Sequence, residues 1–178
     1  MFKFKRVLLM ASLPALAVVL ALGVLVLRPS HASAAAMVPF NASVSENYTA
    51  GPCGKMLVCI HATGTGQATH LGAITEEATV VIDVNPADRQ NGCAPETRNT
   101  TLTAANGDTI TMYGTGFTQC SPTSNEASDK YTITGGTGRF QGASGSGSES
   151  NTHTFTGPGV GVASVTYSGD ISSVGSLN

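Results

Sequence analysis

The chain reads as all-β, with eight strands forming an antiparallel barrel or, on pattern alone, a β-sandwich. Three observations carry that reading. Apolar and polar residues alternate with period two, as Val80, Ile82 and Val84 do against Thr79, Val81 and Asp83, and as Ile110 and Met112 do against Thr109, Thr111 and Tyr113. Helical periodicity is missing from residue 37 onward. Turn signals recur at Gly51-Pro52, Gly64-Thr65-Gly66, Asn85-Pro86, Asn91-Gly92, Asn106-Gly107-Asp108, Ser121-Pro122, Gly135-Gly136 and Gly157-Pro158. They divide the chain into segments of roughly 8–14 residues.

Taken in order, the first element is a leader over residues 1–36. Lys3, Lys5 and Arg6 precede an apolar run from Val7 to Leu27, and Ala32-Ser33-Ala34 and Ala34-Ala35-Ala36 place small residues where a signal peptidase cuts. The expectation is export with cleavage after Ala34 or Ala36, leaving residues 37–178 as one domain. An uncleaved N-terminal membrane anchor is the alternative, since the run is long enough to span a bilayer, although Ser12 and Pro14 interrupt it. No later run approaches that length, so no stable membrane insertion is expected after cleavage. Strands are then expected over 38–48, 56–64, 67–84 with a break near Gly72, 97–105, 108–117, 129–135, 139–155 and 160–173. The strongest local signal is the hairpin at Asn106-Gly107, where Asn and Gly suit the positive φ angles of a type I′ turn. Interior glycines such as Gly114, Gly116, Gly142, Gly145 and Gly147 permit the bends that close a barrel.

Composition narrows the partners. The chain is 11% charged and carries 21 Gly and no Trp, and all eleven Asp+Glu lie beyond residue 36, whereas four of the nine Lys+Arg precede it. An acidic exported part lacks the basic face that phosphates or anionic membranes require, so no nucleic-acid partner is expected. Cys53, Cys59, Cys93 and Cys120 all fall in the exported part, and an oxidising compartment would pair them. Cys53–Cys59 closes a short turn, and Cys93–Cys120 brackets the hairpin whose antiparallel arms bring its ends together. Zinc is the competing reading of four cysteines, but no Cys-x-x-Cys occurs and only His61 sits beside a cysteine, so neither metal nor cofactor is expected.

Candidate chemistry is sparse. His61, His70 and His153 lack the spacing that aligns two metal ligands on one element. Glu76-Glu77 puts one carboxylate on each strand face, so one of them can face a barrel interior as a general acid, although a charged edge that discourages aggregation is the plainer reading. Gly64-Thr65-Gly66 and Gly135-Gly136-Thr137-Gly138 open no helix and are read as turns rather than phosphate loops. Ser144, Ser146 and Ser148 form a hydroxyl ladder on an outer face, and the sequons at Asn41, Asn47 and Asn99 would mark exposed loops.

The stretch from Tyr131 to Gly145 resembles the strand-turn-strand signature Gly-Gly-x-Gly-x-Phe-x-Gly-Ala of the allene oxide cyclase and dirigent barrel group, with Gly135, Gly136, Gly138, Phe140, Gly142 and Ala143 in those places. Tyr167 to Ile171 resembles its closing strand, and Ala104-Ala105-Asn106-Gly107-Asp108 is similar to a hairpin of bacterial exported members. The resemblance implies an eight-stranded antiparallel barrel whose interior is filled by side chains or holds one small ligand.

Two classes of function follow. One is a secreted barrel without catalysis that binds a small apolar molecule, with Tyr113, Tyr131, Phe155 and Tyr167 as ligand-binding residues, or that serves as an extracellular structural module. The other is a cyclase-, isomerase- or dirigent-like enzyme using the cavity, with Glu76 or Glu77 and a tyrosine as acid and base. An inward ionisable cluster with room beside it favours the second, and a barrel plugged by Val80, Ile82, Leu102, Ile110, Met112 and Ile133 favours neither ligand nor catalysis.

Overall fold

The computed structural model describes residues 36–120 and 125–172. The expected leader, apart from its last residue, and the Ser121-Pro122 turn lie outside them. Eight strands run in chain order: β1 (Met37–Gly54), β2 (Leu57–Ala68), β3 (Gly72–Asp83), β4 (Ala94–Ala104), β5 (Thr109–Thr118), β6 (Glu126–Gly136), β7 (Gly145–Gly157) and β8 (Val160–Ser172). Each pairs antiparallel with the next, and β1 pairs with β8 from Met37↔Ser172 to Thr49↔Val160, which closes the barrel and excludes the sandwich. Closure leaves no unpaired edge.

Several local expectations need correction. Gly64-Thr65-Gly66 lies in the middle of β2, and Gly51-Pro52 lies in the last turn-ward stretch of β1. The glycines of β2 serve close approach rather than turning: a Cβ on Gly66 would stand 2.0 Å from the Ser43 carbonyl oxygen on β1. The strand expected from 139 begins at Gly145, because Gly138–Phe140 forms a turn of 3-10 helix that drives Phe140 into the core. The Asn106 hairpin exists but its turn is not type I′. Gly107 alone has positive φ, at +88°, and Gly107 N–H donates to Ala104 while Ala104 N–H donates to Asp108. This is the three-residue loop in which a left-handed glycine forms a bulge. The sequon asparagines Asn41, Asn47 and Asn99 sit on the outward faces of strands, not in loops.

One parity faces inward throughout: even residues on β1 to β5 and odd residues on β6 to β8. At one end of the barrel Phe40, Val44, Leu102, Ile110, Phe140, Val165 and Ile171 are fully buried in one continuous core. Of the six expected plug residues, Leu102, Ile110, Met112 and Ile133 belong to that core. Val80 and Ile82 do not, and pack instead with Ala94 in a separate cluster towards the opposite end. Both disulfides lie at that opposite end, Cys53–Cys59 at the β1–β2 turn with 5.6 Å between Cα atoms and Cys93–Cys120 joining the β3–β4 and β5–β6 loops.

Candidate functional site

Between the packed end and the disulfide end, the inward parity carries charge. Glu46 on β1, Glu76 on β3, Glu96 and Arg98 on β4, Asp129 on β6 and Glu149 on β7 are all buried. Five carboxyl groups and one guanidinium thus share a volume from which water is largely excluded, where an unpaired charge is costly. Arg98 organises them. Its Nη2 donates to Glu46 Oε1 and, at 2.9 Å, to Glu76 Oε1, its Nε donates to Thr100 Oγ1 at 3.1 Å, and Glu149 Oε1 lies 3.4 Å from Nε. Tyr167, on β8, donates its hydroxyl proton to Glu76 Oε1 at 2.5 Å.

Glycine makes these meetings possible. In the strand register Glu46 and Glu76 flank Gly64, and Glu96 and Asp129 flank Gly116. A Cβ on Gly116 would stand 2.0 Å from Asp129 Oδ1, so only glycine lets that carboxyl lean across β5 towards Glu96. Neither oxygen of Asp129 meets an N–H or hydroxyl donor; the group it faces across Gly116 is the Glu96 carboxyl. Two carboxyls can share a hydrogen bond only if one holds a proton. Glu46 and Glu76 form a second such pair.

The protons have identifiable places. Burial, reinforced by the charges of Asp129 and Glu149, pushes Glu96 up to about 8. Burial likewise raises Glu149 to about 8 against the pull of Arg98, and Glu46 to about 7. Asp129 rises only to about 6, because Arg98 and the hydrogen bond from Glu96 oppose its burial. Of the two, burial and the neighbouring carboxyls raise Glu96 the further, so the pair holds a proton near neutral pH. Arg98 stays cationic, since the surrounding carboxylates outweigh its burial. Burial raises the tyrosines as well, Tyr131 to about 12.

Above this floor the barrel opens into a pocket of about 150 Å³. Its walls are apolar, from Ala50, Val58, Ile60, Val80 and Ile82, and its base is formed by Glu46, Glu96 and Arg98. Tyr48, His153 and Phe155 form one side, their rings meeting edge to face at 5.7 to 6.4 Å. The Tyr48 hydroxyl is buried without a hydrogen-bond partner. Burial lowers the His153 imidazole, which favours its neutral form.

The sequence-predicted residues scatter across this architecture. Phe155 lines the pocket rim, 61% exposed. Tyr131 and Tyr167 are buried below the pocket in the packed core. Tyr113 is corrected: it lies on the outer face, 42% exposed, as its alternation with Met112 requires. Glu76 points inward at 3% exposure and Glu77 outward; β3 is paired on both sides, so neither lies at a sheet edge. His61 and His70 are exposed. Glu46, Glu96, Arg98, Asp129 and Glu149 escaped the sequence analysis. Their signal was present in the alternation, for Glu96, Arg98, Thr100 and Leu102 occupy one parity of β4. Among the described residues no group of His, Cys, Asp or Glu has the geometry to hold a metal ion.

No family model matches the chain, and no curated protein does. Among solved structures it is similar to a pterocarpan synthase dirigent protein, with 14% sequence identity, 80% of this chain and 89% of that chain covered, and a TM-score of 0.49.

Proposed function

We propose that the protein is an exported barrel that binds one small, largely apolar molecule in its open half and holds the polar end of that molecule against Glu46, Glu96 and Tyr48. The observation that carries this reading is the division of the interior: one end is filled to core density, and the other leaves about 150 Å³ with apolar walls over a polar base. A cavity of that size accepts a body about as large as benzene. Concave apolar sites with a few convergent polar groups are the common form of small-molecule sites. Export is supported by the leader pattern and by two disulfides at the mouth. Native mass spectrometry of the protein from its own secretion route tests the reading. A reproducible small adduct lost on unfolding is expected, and its absence together with failure of aromatic probes to bind would leave a structural module.

A second reading, acid–base catalysis of an isomerisation or cyclisation, is favoured by one feature. Glu96 lines the pocket, holds a proton near neutral pH and has Asp129 behind it as hydrogen-bond partner. Such a carboxyl can give its proton to an oxygen on which charge develops. The pocket is too small for a long-chain fatty-acid epoxide, so the substrate would be a compact one. Under this reading Glu96→Gln removes turnover and leaves affinity nearly unchanged; equal turnover by that variant would exclude it.

A further inference from the structure

The proposed ligand site has a charge imbalance that selects among ligands. Among the described residues Arg98 is the one cation lining the pocket, and it is already spent on Glu46, Glu76 and Thr100. An anionic ligand therefore finds no unengaged cation there, while Glu46 and Glu96 line the base and Glu76, Asp129 and Glu149 are buried in the same layer. Glu46 and Glu76 are held together by the Arg98 Nη2 that donates to both, and Glu96 and Asp129, which meet across Gly116, by a proton on Glu96. Any cation that reaches the base can do the work of such a proton. Beside them Tyr48 lines the pocket, with its hydroxyl buried against Gly161 of β8. Tyr48 and Phe155, packed edge to face, add aromatic rings to the lining, and aromatic rings attract cations. We propose that the pocket takes a small organic ammonium ion, its charged end against Glu46, Glu96 and Tyr48 and its apolar body against Ile60, Val80 and Phe155.

This inference rests on the ligand-binding reading and specifies the class of ligand. It also predicts an exchange: as the ammonium enters, carboxyls that shared a proton ionise, and protons leave for solvent. The groups that set this balance are Glu46 on β1, Glu76 on β3, Arg98 on β4 with Glu96, Asp129 and Tyr131 on β6, Glu149 and His153 on β7, and Tyr167 on β8; β2 and β5 contribute only glycine at those levels. Below about pH 6 Glu46, Glu96, Asp129 and Glu149 hold protons in the absence of ligand, and their attraction for a cation is lost.

The test is calorimetric titration of the disulfide-intact protein with benzylammonium, benzyl alcohol and benzoate, three ligands of nearly equal size that are cationic, neutral and anionic at about pH 8. Each is measured in two buffers of different ionisation enthalpy, which reads the protons released. Benzylammonium is expected to bind roughly tenfold tighter than benzyl alcohol, to release protons, and to weaken as pH falls to about 5; benzoate is expected not to bind. Glu96→Gln, nearly isosteric with the protonated acid, is expected to lose the preference for the cation, benzylammonium weakening more than benzyl alcohol. Equal affinity for the alcohol and the ammonium, or binding without proton release, overturns the cation assignment and leaves the ligand-binding reading standing. Failure of both ring compounds to bind overturns the two together.

Discussion

The two halves of the barrel are built from the same strands and differ in what their inward residues do. Towards the packed end, Leu102, Ile110, Phe140 and Ile171 fill the interior with apolar volume, and the turn at Gly138–Phe140 adds a side chain from outside the strand framework. Towards the disulfide end the same strands line the interior with Val58, Ile60, Val80 and Ile82 without filling it, and the interior stays open. The charged layer lies between them. The difference teaches that the packed half and the two disulfides hold the closed wall, and the open half uses that rigidity to keep ionisable groups close together at a cost in stability. Buried charge of this kind is weak evidence for stability and stronger evidence for a site.

Removing the cation should break the comparison most sharply. Arg98→Met leaves five carboxyls without a compensating charge and is expected to cost about 3–5 kcal/mol at neutral pH in chemical denaturation, with part of the loss recovered in mild acid. The wild type should follow the same sign. Glu46, Glu96 and Glu149 are raised to about 7, 8 and 8 in the folded state from an ordinary value of 4.5. Groups raised on folding favour the folded state fully below the unfolded value, and that contribution is lost as pH rises through the folded one. Stability should therefore fall between about pH 5 and pH 8; a rise over that range would show that the carboxyls are ionised and fully compensated.

The mouth staples come next. Cys93→Ser opens the loop of sequence separation 27 and should cost about 3.5 kcal/mol on the loop-entropy model, against about 2.5 kcal/mol for Cys59→Ser, whose separation is 6. Thiol labelling of the Cys93 variant should find Cys120 free and Cys53 protected. Within the packed half, Leu102→Ala should cost about 3 kcal/mol, because a fully buried side chain leaves a cavity. Val80→Ala, facing the open pocket, should cost clearly less; equal losses in urea denaturation would mean that the two halves are packed alike. The smallest effect is expected at the hairpin, where Gly107→Val forces a β-branched residue to φ +88° and should cost about 1 kcal/mol.

Much of the wall was legible in the sequence. The alternation around Val80 to Val84 and Ile110 to Tyr113 identified strands, the Asn106-Gly107 signal placed a hairpin, and the cysteine spacing pointed to the disulfides that form. The misreadings share one cause. Gly64-Thr65-Gly66 looked like a turn because glycine is a local breaker, yet in β2 it answers a non-local demand, the close approach of β1. Tyr113 was taken for a ligand contact on residue type, although its own alternation with Met112 sends it outward. The charged layer stayed hidden because Glu and Arg are ordinarily exposed, so a parity shared with Leu102 was discounted.

By itself, then, the sequence determined the period-two strands, their number and the covalent staples, because alternation, turn chemistry and cysteine spacing act over a few residues. Only the tertiary structure decided which parity faces inward, and that Arg98 meets Glu46 across 52 residues of sequence and Tyr167 meets Glu76 across 91. Closure of the sheet sets those meetings, since the residues that face one another inside a barrel depend on strand stagger and on the glycines that let side chains lean across a neighbouring strand, and neither is a property of any single segment.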